Sequence, residues 1–205
     1  MFLLYQIFIK PEIRLNLIKN EIKRNLPEVN IDPKALYIHI RSGNIFKFNI
    51  QSSYAQPPLC FYQKILYNFN FSKIYIISID KTNPVINKLL EEFPNIIFNK
   101  NNFKIDISYL VNGYNLVASV SSFFTESIKF NDNLKNCWEY DIYRKSEKFR
   151  HLHYEFYDFP IKYKIFLMKP SQNYKNEMFK MENTPKQILL MTEEKCINDF
   201  VIYEP

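Results

Sequence analysis

The chain has 205 residues, 47% of them hydrophobic and 23% charged, enough apolar material for one ordinary core and too little charge for a disordered chain. Its 27 basic and 21 acidic residues leave a net charge of +6 spread along the chain; with no aromatic-basic motif of the RNA-recognition kind, no nucleic-acid partner is expected. Aromatics reach 17% while only two glycines are present, Gly43 and Gly113, so a glycine here draws attention to a backbone that needs φ > 0 or a close approach.

Residues 1–9 are apolar but too few to span a bilayer, and they lack a basic leader and a small-residue cleavage site, so they read as a buried strand. Pro11 opens a helical pattern through Leu26, with Leu15, Ile18, Ile22 and Leu26 at spacings of three and four. The basic run 19–24 is a solvated face of that helix. Asp32-Pro33 breaks it. Residues 35–41 then alternate, with Leu36, Ile38 and Ile40 on one face and Tyr37, His39 and Arg41 on the other.

A polar loop over 42–56 ends at Pro57-Pro58, which introduces a helix to Phe69. Residues 73–79 form an apolar strand closing on Asp80, and Thr82-Asn83-Pro84 starts a helix to Phe93. A short strand over 95–98 precedes a helix over 106–114, with Asp106 as its capping carboxylate. Residues 115–120 are again strand-like and close on Ser121-Ser122, before a helix over 123–130. From Asn131 the pattern is less regular and rich in aromatics, including Trp138, Tyr140, Tyr143, Tyr154, Phe156 and Tyr157. A last helix runs from Thr184-Pro185 to Cys196, marked by a Thr cap and a Pro at its first position.

This alternation predicts an α/β fold with a doubly wound, mostly parallel sheet and helices on both faces. Residues 1–140 make the sheet domain, and 141–205 an irregular, aromatic-rich and helical extension packing on that same domain. Cys60, Cys137 and Cys196 are far apart and odd in number, without C-x-x-C spacing, so neither a zinc site nor a disulfide framework is indicated. The tripeptide Asn70-Phe71-Ser72 is a glycosylation sequon that matters only in a chain entering the secretory pathway.

In a doubly wound sheet ligands bind beyond the carboxyl ends of the strands. Three groups fall there: His39 and Arg41 with Ser42-Gly43, then Asp80, then Ser121-Ser122. Arg41 offers a bidentate fork to a diphosphate. Ser121 and Ser122 are either plain capping residues or an anion site at a helix start. Asp80 either caps the helix at Asn83 or accepts from the ring N–H groups of a guanine. His39 is a core histidine or a polar contact beside it. Arg41 is the hardest to explain as structure alone, because a charge in an otherwise apolar strand needs a partner.

Absences narrow the chemistry. No G-x-G-x-x-G or P-loop pattern is present, and no Asp-x-Asp pair stands ready to hold a metal for a diphosphate sugar. His151-Leu152-His153 lacks a third ligand, so no metal is expected.

The segment His39-Ile40-Arg41-Ser42-Gly43 resembles the H-x-R-x-G-D signature of the fucosyltransferase superfamily. Three further segments are similar to glycosyltransferase-like proteins of this type from protists: residues 54–62, Tyr-Ala-Gln-Pro-Pro-Leu-Cys-Phe-Tyr; 76–80 with 83–86; and 117–123, Val-Ala-Ser-Val-Ser-Ser-Phe. The resemblance covers residues 36–140. It implies the Rossmann-like donor-binding half of a GT-B glycosyltransferase, GDP-fucose as donor, a glycan acceptor, inversion at the sugar carbon, no metal and, by family habit, the secretory pathway.

Carried over by position, Arg41 contacts the β-phosphate and stabilises the departing GDP as the catalytic residue. His39 and Asp80 lie at the guanine or ribose side, Gly43 belongs to the donor loop, and Ser121 or Ser122 holds phosphate. Two departures stand out: Asn44 occupies the signature's Asp position, and Ile79 replaces a commonly acidic residue. A GT-B enzyme also needs an acceptor-side domain, for which 205 residues leave little room. The expectation is therefore a donor-binding half, with an inactive nucleotide-binding fragment or truncated gene product as the alternative.

Overall fold

A computed structural model describes residues 11–46, 55–98, 100–142, 162–180 and 184–204. The expected strand over 1–9, most of the loop over 42–56, the His151-Leu152-His153 pair and the aromatics Tyr143, Tyr154, Phe156 and Tyr157 lie outside the described residues.

Among the described residues seven strands form one sheet: β1 (Leu36–His39), β2 (Ile74–Ile77), β3 (Ile96–Phe98), β4 (Asn115–Val117), β5 (Asn136–Tyr140), β6 (Lys164–Met168) and β7 (Val201–Tyr203). The order is β3-β2-β1-β4-β5-β6-β7. The first six run parallel, and β7 closes the edge antiparallel to β6. This is a Rossmann-like arrangement, in which the chain leaves β1 first toward β2 and β3 and then returns to β4 on β1's other side.

Seven α-helices accompany the sheet among the described residues: α1 (Pro11–Asn25), α2 (Leu59–Asn68), α3 (Pro84–Glu92), α4 (Phe103–Asn112), α5 (Ser122–Ile128), α6 (Gln172–Met178) and α7 (Pro185–Glu193). None is long and apolar enough to cross a membrane. The start signals work as local chemistry requires. Asn83 accepts from the Val85 N–H with Pro84 at the first position of α3, and Thr184 and Gln187 form a reciprocal capping box at α7. The start of α4 differs from expectation. Asn102 is the cap, accepting from the Ile105 N–H, and Asp106 lies buried one turn inside.

The alternation of β1 sorts the two helix layers. Leu36, Ile38 and Ile40 pack with Phe61, Tyr62 and Ile65 of α2, with Val85, Ile86 and Leu89 of α3, and with Met191 of α7. Tyr37 packs on the opposite face with Leu110 of α4 and with Phe124 and Ile128 of α5. There the rings of Tyr37, Tyr75 and Tyr109 stack at centroid distances of 5.1 to 5.7 Å. On the first face Trp138 stacks on Phe166 at 4.8 Å and receives Phe69 and Phe71 edge-on. Such pairs add about 0.5–1.5 kcal/mol each beyond the area they bury.

Two expectations are corrected here. Residues beyond 140, read as an irregular and helical extension, supply β6 and β7 to the same sheet. The strand edges also stop short of the expected spans: β1 ends at His39, where its pairing with β2 ends at Ile77, and β4 ends at Val117, paired with Ile38 and Trp138. The cysteines overturn a further expectation. Cys60 and Cys196 form a disulfide across a separation of 136 residues, with Cα atoms 5.5 Å apart. Lys64 reinforces that join, donating to the Asn198 carbonyl at 2.8 Å and pairing with Asp199. Cys137 remains a buried thiol.

The two glycines have different structural reasons. Gly43 takes φ +75° where the turn Gly43–Phe46 begins, four residues past the end of β1. Gly113 ends α4 where a Cβ would fall 2.8 Å from the Tyr109 carbonyl oxygen and 2.9 Å from both the Leu116 and Tyr37 side chains. Gly113→Ala is expected to destabilise the fold by about 1–3 kcal/mol, the usual cost of overpacking. A lowered urea midpoint at unchanged m-value would show it, and an unchanged midpoint would contradict it.

Candidate functional site

The sheet order reverses between β1 and β4, and their carboxyl ends open the crevice where doubly wound sheets bind ligands. His39 is the last residue of β1, 5% exposed. Its Nδ1 lies 2.7 Å from Ser119 Oγ, just past β4, so this pair spans the reversal. Phe123 and Phe124, at the start of α5, cover the imidazole at 5.4 and 5.8 Å. Burial first, and the nearby Arg41 charge second, push the His39 pKa down to about 3. The ring is neutral at any physiological pH, so it acts as a polar contact and not as a cation.

Arg41 follows two residues on, half-buried, and its backbone carbonyl accepts from Asn83 Nδ2 at 2.9 Å. The cap of α3 therefore fixes the chain direction at the arginine. Ser42 is buried, its hydroxyl 2.7 Å from the Ser78 hydroxyl and accepting from the Asp80 N–H at 3.3 Å.

Asp80 and Gly43 are brought together. The Gly43 N–H donates to Thr82 Oγ1 at 2.7 Å and to Asp80 Oδ1 at 3.2 Å. The same Oδ1 accepts from the Thr82 N–H at 2.9 Å and from the Thr82 hydroxyl at 2.6 Å. Burial pushes the Asp80 carboxyl up, but hydrogen bonds from Thr82, Ser42 and Gly43 outweigh it and hold it below its ordinary value. Asp80 thus braces the turn Gly43–Phe46 through one oxygen. It does not cap α3, whose cap is Asn83.

Ser121 and Ser122 separate. Ser121 stands at the N-cap of α5, its carbonyl accepting from the Thr125 N–H at 3.1 Å, but its side chain makes no cap bond and its buried hydroxyl has no hydrogen-bond partner among the described residues. Ser122 is exposed, and its carbonyl accepts from the Thr125 hydroxyl. The site residues therefore fall into two groups flanking Arg41. One is a latch of Ser42, Gly43, Ser78, Asp80 and Thr82. The other is the buried pair of His39 and Ser119, with the buried Ser121 two residues further along the chain.

Three members of these groups escaped the sequence reading. Ser119 was hidden because β4 was expected to run past it, although the serine-rich stretch 119–122 was a signal. Ser78 and Thr82 bond across 36 and 39 positions, which no local pattern encodes.

Asp106 is a further buried acid nearby. The Phe103 ring at the start of α4 meets Phe123 at 5.0 Å, and Phe123 covers His39. Burial pushes the Asp106 carboxyl up to about 6, against the lowering effect of a 3.2 Å hydrogen bond from Asn101 Nδ2. The folded value lies above the unfolded 3.8, so the stability contributed by the neutral acid is complete below that pH and lost as pH rises through about 6. Asp106→Asn is expected to stabilise the fold at neutral pH by about 1–2 kcal/mol, allowing for solvent screening. At about pH 4 the two proteins should melt together. Thermal melts at both pH values check this, and equal midpoints at neutral pH would refute it.

Among the described residues no group of three or more His, Cys, Asp or Glu is placed to hold a metal ion. Compared with known proteins, the chain matches no protein-family model, no curated protein and no solved structure.

Proposed function

We propose that the chain binds a nucleotide-diphosphate sugar at the carboxyl ends of β1 and β4, with GDP-fucose as the donor. The observation that carries this reading is the reversal of strand order at β1 and β4, bridged by His39 and Ser119 with Arg41 at its rim. A neutral, desolvated floor beside an arginine suits a diphosphate, whose oxygens take the arginine fork bidentately.

In this reading Arg41 neutralises the β-phosphate and stabilises the charge that develops on GDP as the sugar leaves. The buried Ser121 hydroxyl supplies a further donor to phosphate. Asp80 is ionised and braces the loop through Oδ1, leaving Oδ2 to accept from the ring N–H groups of guanine. His39 contacts the ribose or base side as a neutral group. Transfer with inversion to a glycan acceptor is the reaction this site would serve.

A second reading is a nucleotide-binding module without turnover. Asn44 favours it, standing exposed in the turn Gly43–Phe46 where the resembled signature has an aspartate. Calorimetry of the full chain with GDP and GDP-fucose tests both readings. Saturable binding in the micromolar to millimolar range is expected, and no heat at high concentration would sink both. Transfer or hydrolysis of labelled fucose then separates enzyme from module.

A further inference from the structure

The tripeptide Asn70-Phe71-Ser72 has the acceptor amide and the hydroxyl two residues on that N-linked glycosylation requires. Chance supplies such tripeptides readily. Two further conditions decide whether this one is used: the asparagine must face solvent, and the chain must pass through a compartment that adds glycans.

The structure meets the first condition through the flanking aromatics. Helix α2 ends at Asn68, and the chain continues in extended form through Phe69, at φ −129° and ψ 142°. Phe69 and Phe71 both dock on Trp138, with ring centroids 5.2 and 5.6 Å away. In an extended chain successive side chains alternate, so two inward phenylalanines turn the residue between them outward. Asn70 is exposed accordingly, and its carboxamide makes no hydrogen bond among the described residues. Asn68, by contrast, bonds the Lys64 carbonyl at 2.8 Å. Ser72 is also exposed, its hydroxyl donating to Asp32 at 2.6 Å.

The second condition is met from a separate observation. The Cys60–Cys196 bond joins α2 to the segment after α7, and disulfides of this structural kind form and persist in oxidising compartments. One such compartment, the endoplasmic reticulum, is where sequons are read. Asn70 also precedes the amino end of β2, at the end of the sheet opposite the candidate site, so a glycan there leaves the strand carboxyl ends open.

We propose that Asn70 carries an N-linked glycan, added in the same oxidising compartment that forms the Cys60–Cys196 bond. The donor class is a polyprenyl-diphosphate oligosaccharide. Asn70 Nδ2 bonds to the anomeric carbon of the first sugar, the bond from that carbon to the phosphate oxygen breaks, the lipid diphosphate departs and one amide proton is released. The proposal is independent of donor binding, because a chain that ignores GDP can still be glycosylated.

The test is peptide mapping of the full-length protein isolated from its own cells. Trypsin releases residues 65–73, and an amide-cleaving glycosidase in heavy-oxygen water should convert Asn70 to labelled aspartate. Recovery of the peptide chiefly with unmodified Asn70 overturns the proposal, whether or not Cys60 and Cys196 are joined. In the full chain directed into the endoplasmic reticulum of a eukaryotic host, Asn70→Gln should abolish a glycosidase-sensitive mobility shift that Ser72→Thr preserves. A shift that survives Asn70→Gln assigns the glycan elsewhere and also overturns it.

Discussion

Arg41→Ala is expected to weaken GDP binding by about a hundredfold, on the order of 3 kcal/mol, the upper range for hydrogen bonds to a charged group. If the chain turns over, the rate of fucose transfer should fall by about 10²–10³, as when a preorganised charge-stabilising group is removed. Arg41→Lys should recover part of the loss, since it restores the charge but not the planar fork. Calorimetry with GDP reads the affinities directly, and an unchanged dissociation constant in Arg41→Ala would remove the diphosphate from this strand end. Thermal melts of Arg41→Ala beside the wild type tell misfolding apart from lost contact, and the bond from Asn83 to the Arg41 backbone carbonyl is one that alanine retains.

Loss of the Cys60–Cys196 bond should have the largest effect on stability. It closes a loop of 136 residues, and loop-closure entropy puts its contribution at about 4–5 kcal/mol. Small domains have about 5–15 kcal/mol in all, so the reduced protein should be marginal. Urea unfolding with and without reductant, repeated on Cys196→Ala, measures the difference. Coincident curves would contradict it. Some order should outlast the bond, because Lys64 still reaches Asn198 and Asp199, and Ser171 still donates to Glu194 at 2.6 Å.

What could be seen in the sequence follows from the range of the interactions. Local signals were legible: helices start at Pro11, Pro84 and Pro185, and the Asn83 and Thr184 caps act through contacts spanning two or three residues. The alternation in β1 sorted its side chains correctly between the two helix layers. Asp106 misled as a cap because Asn102 satisfies the same orphan N–H groups one turn earlier. β5, with its mixture of Asn136, Cys137, Trp138, Glu139 and Tyr140, has neither clean alternation nor a continuous apolar run. It is a strand because β4 and β6 pair with it on both sides.

The candidate site follows the same division. Its position at the ends of β1, β2 and β4 could be read from strand-closing residues. Its internal wiring could not. Asp80 was legible as a carboxylate at a strand end, but its commitment to Gly43 and Thr82 depends on a glycine at positive φ folding back 37 positions. The disulfide lay furthest from view, since three spaced cysteines leave every pairing open.

Trp138 is the chain's single tryptophan, 2% exposed, with an indole N–H that finds no acceptor among the described residues. Its emission in the native state should therefore lie toward the blue and move red as water reaches the seam between β5 and β6. The molecule thus has one natural optical reporter at this part of its core, and following it during denaturation would show when the layer around Trp138 and Phe166 opens.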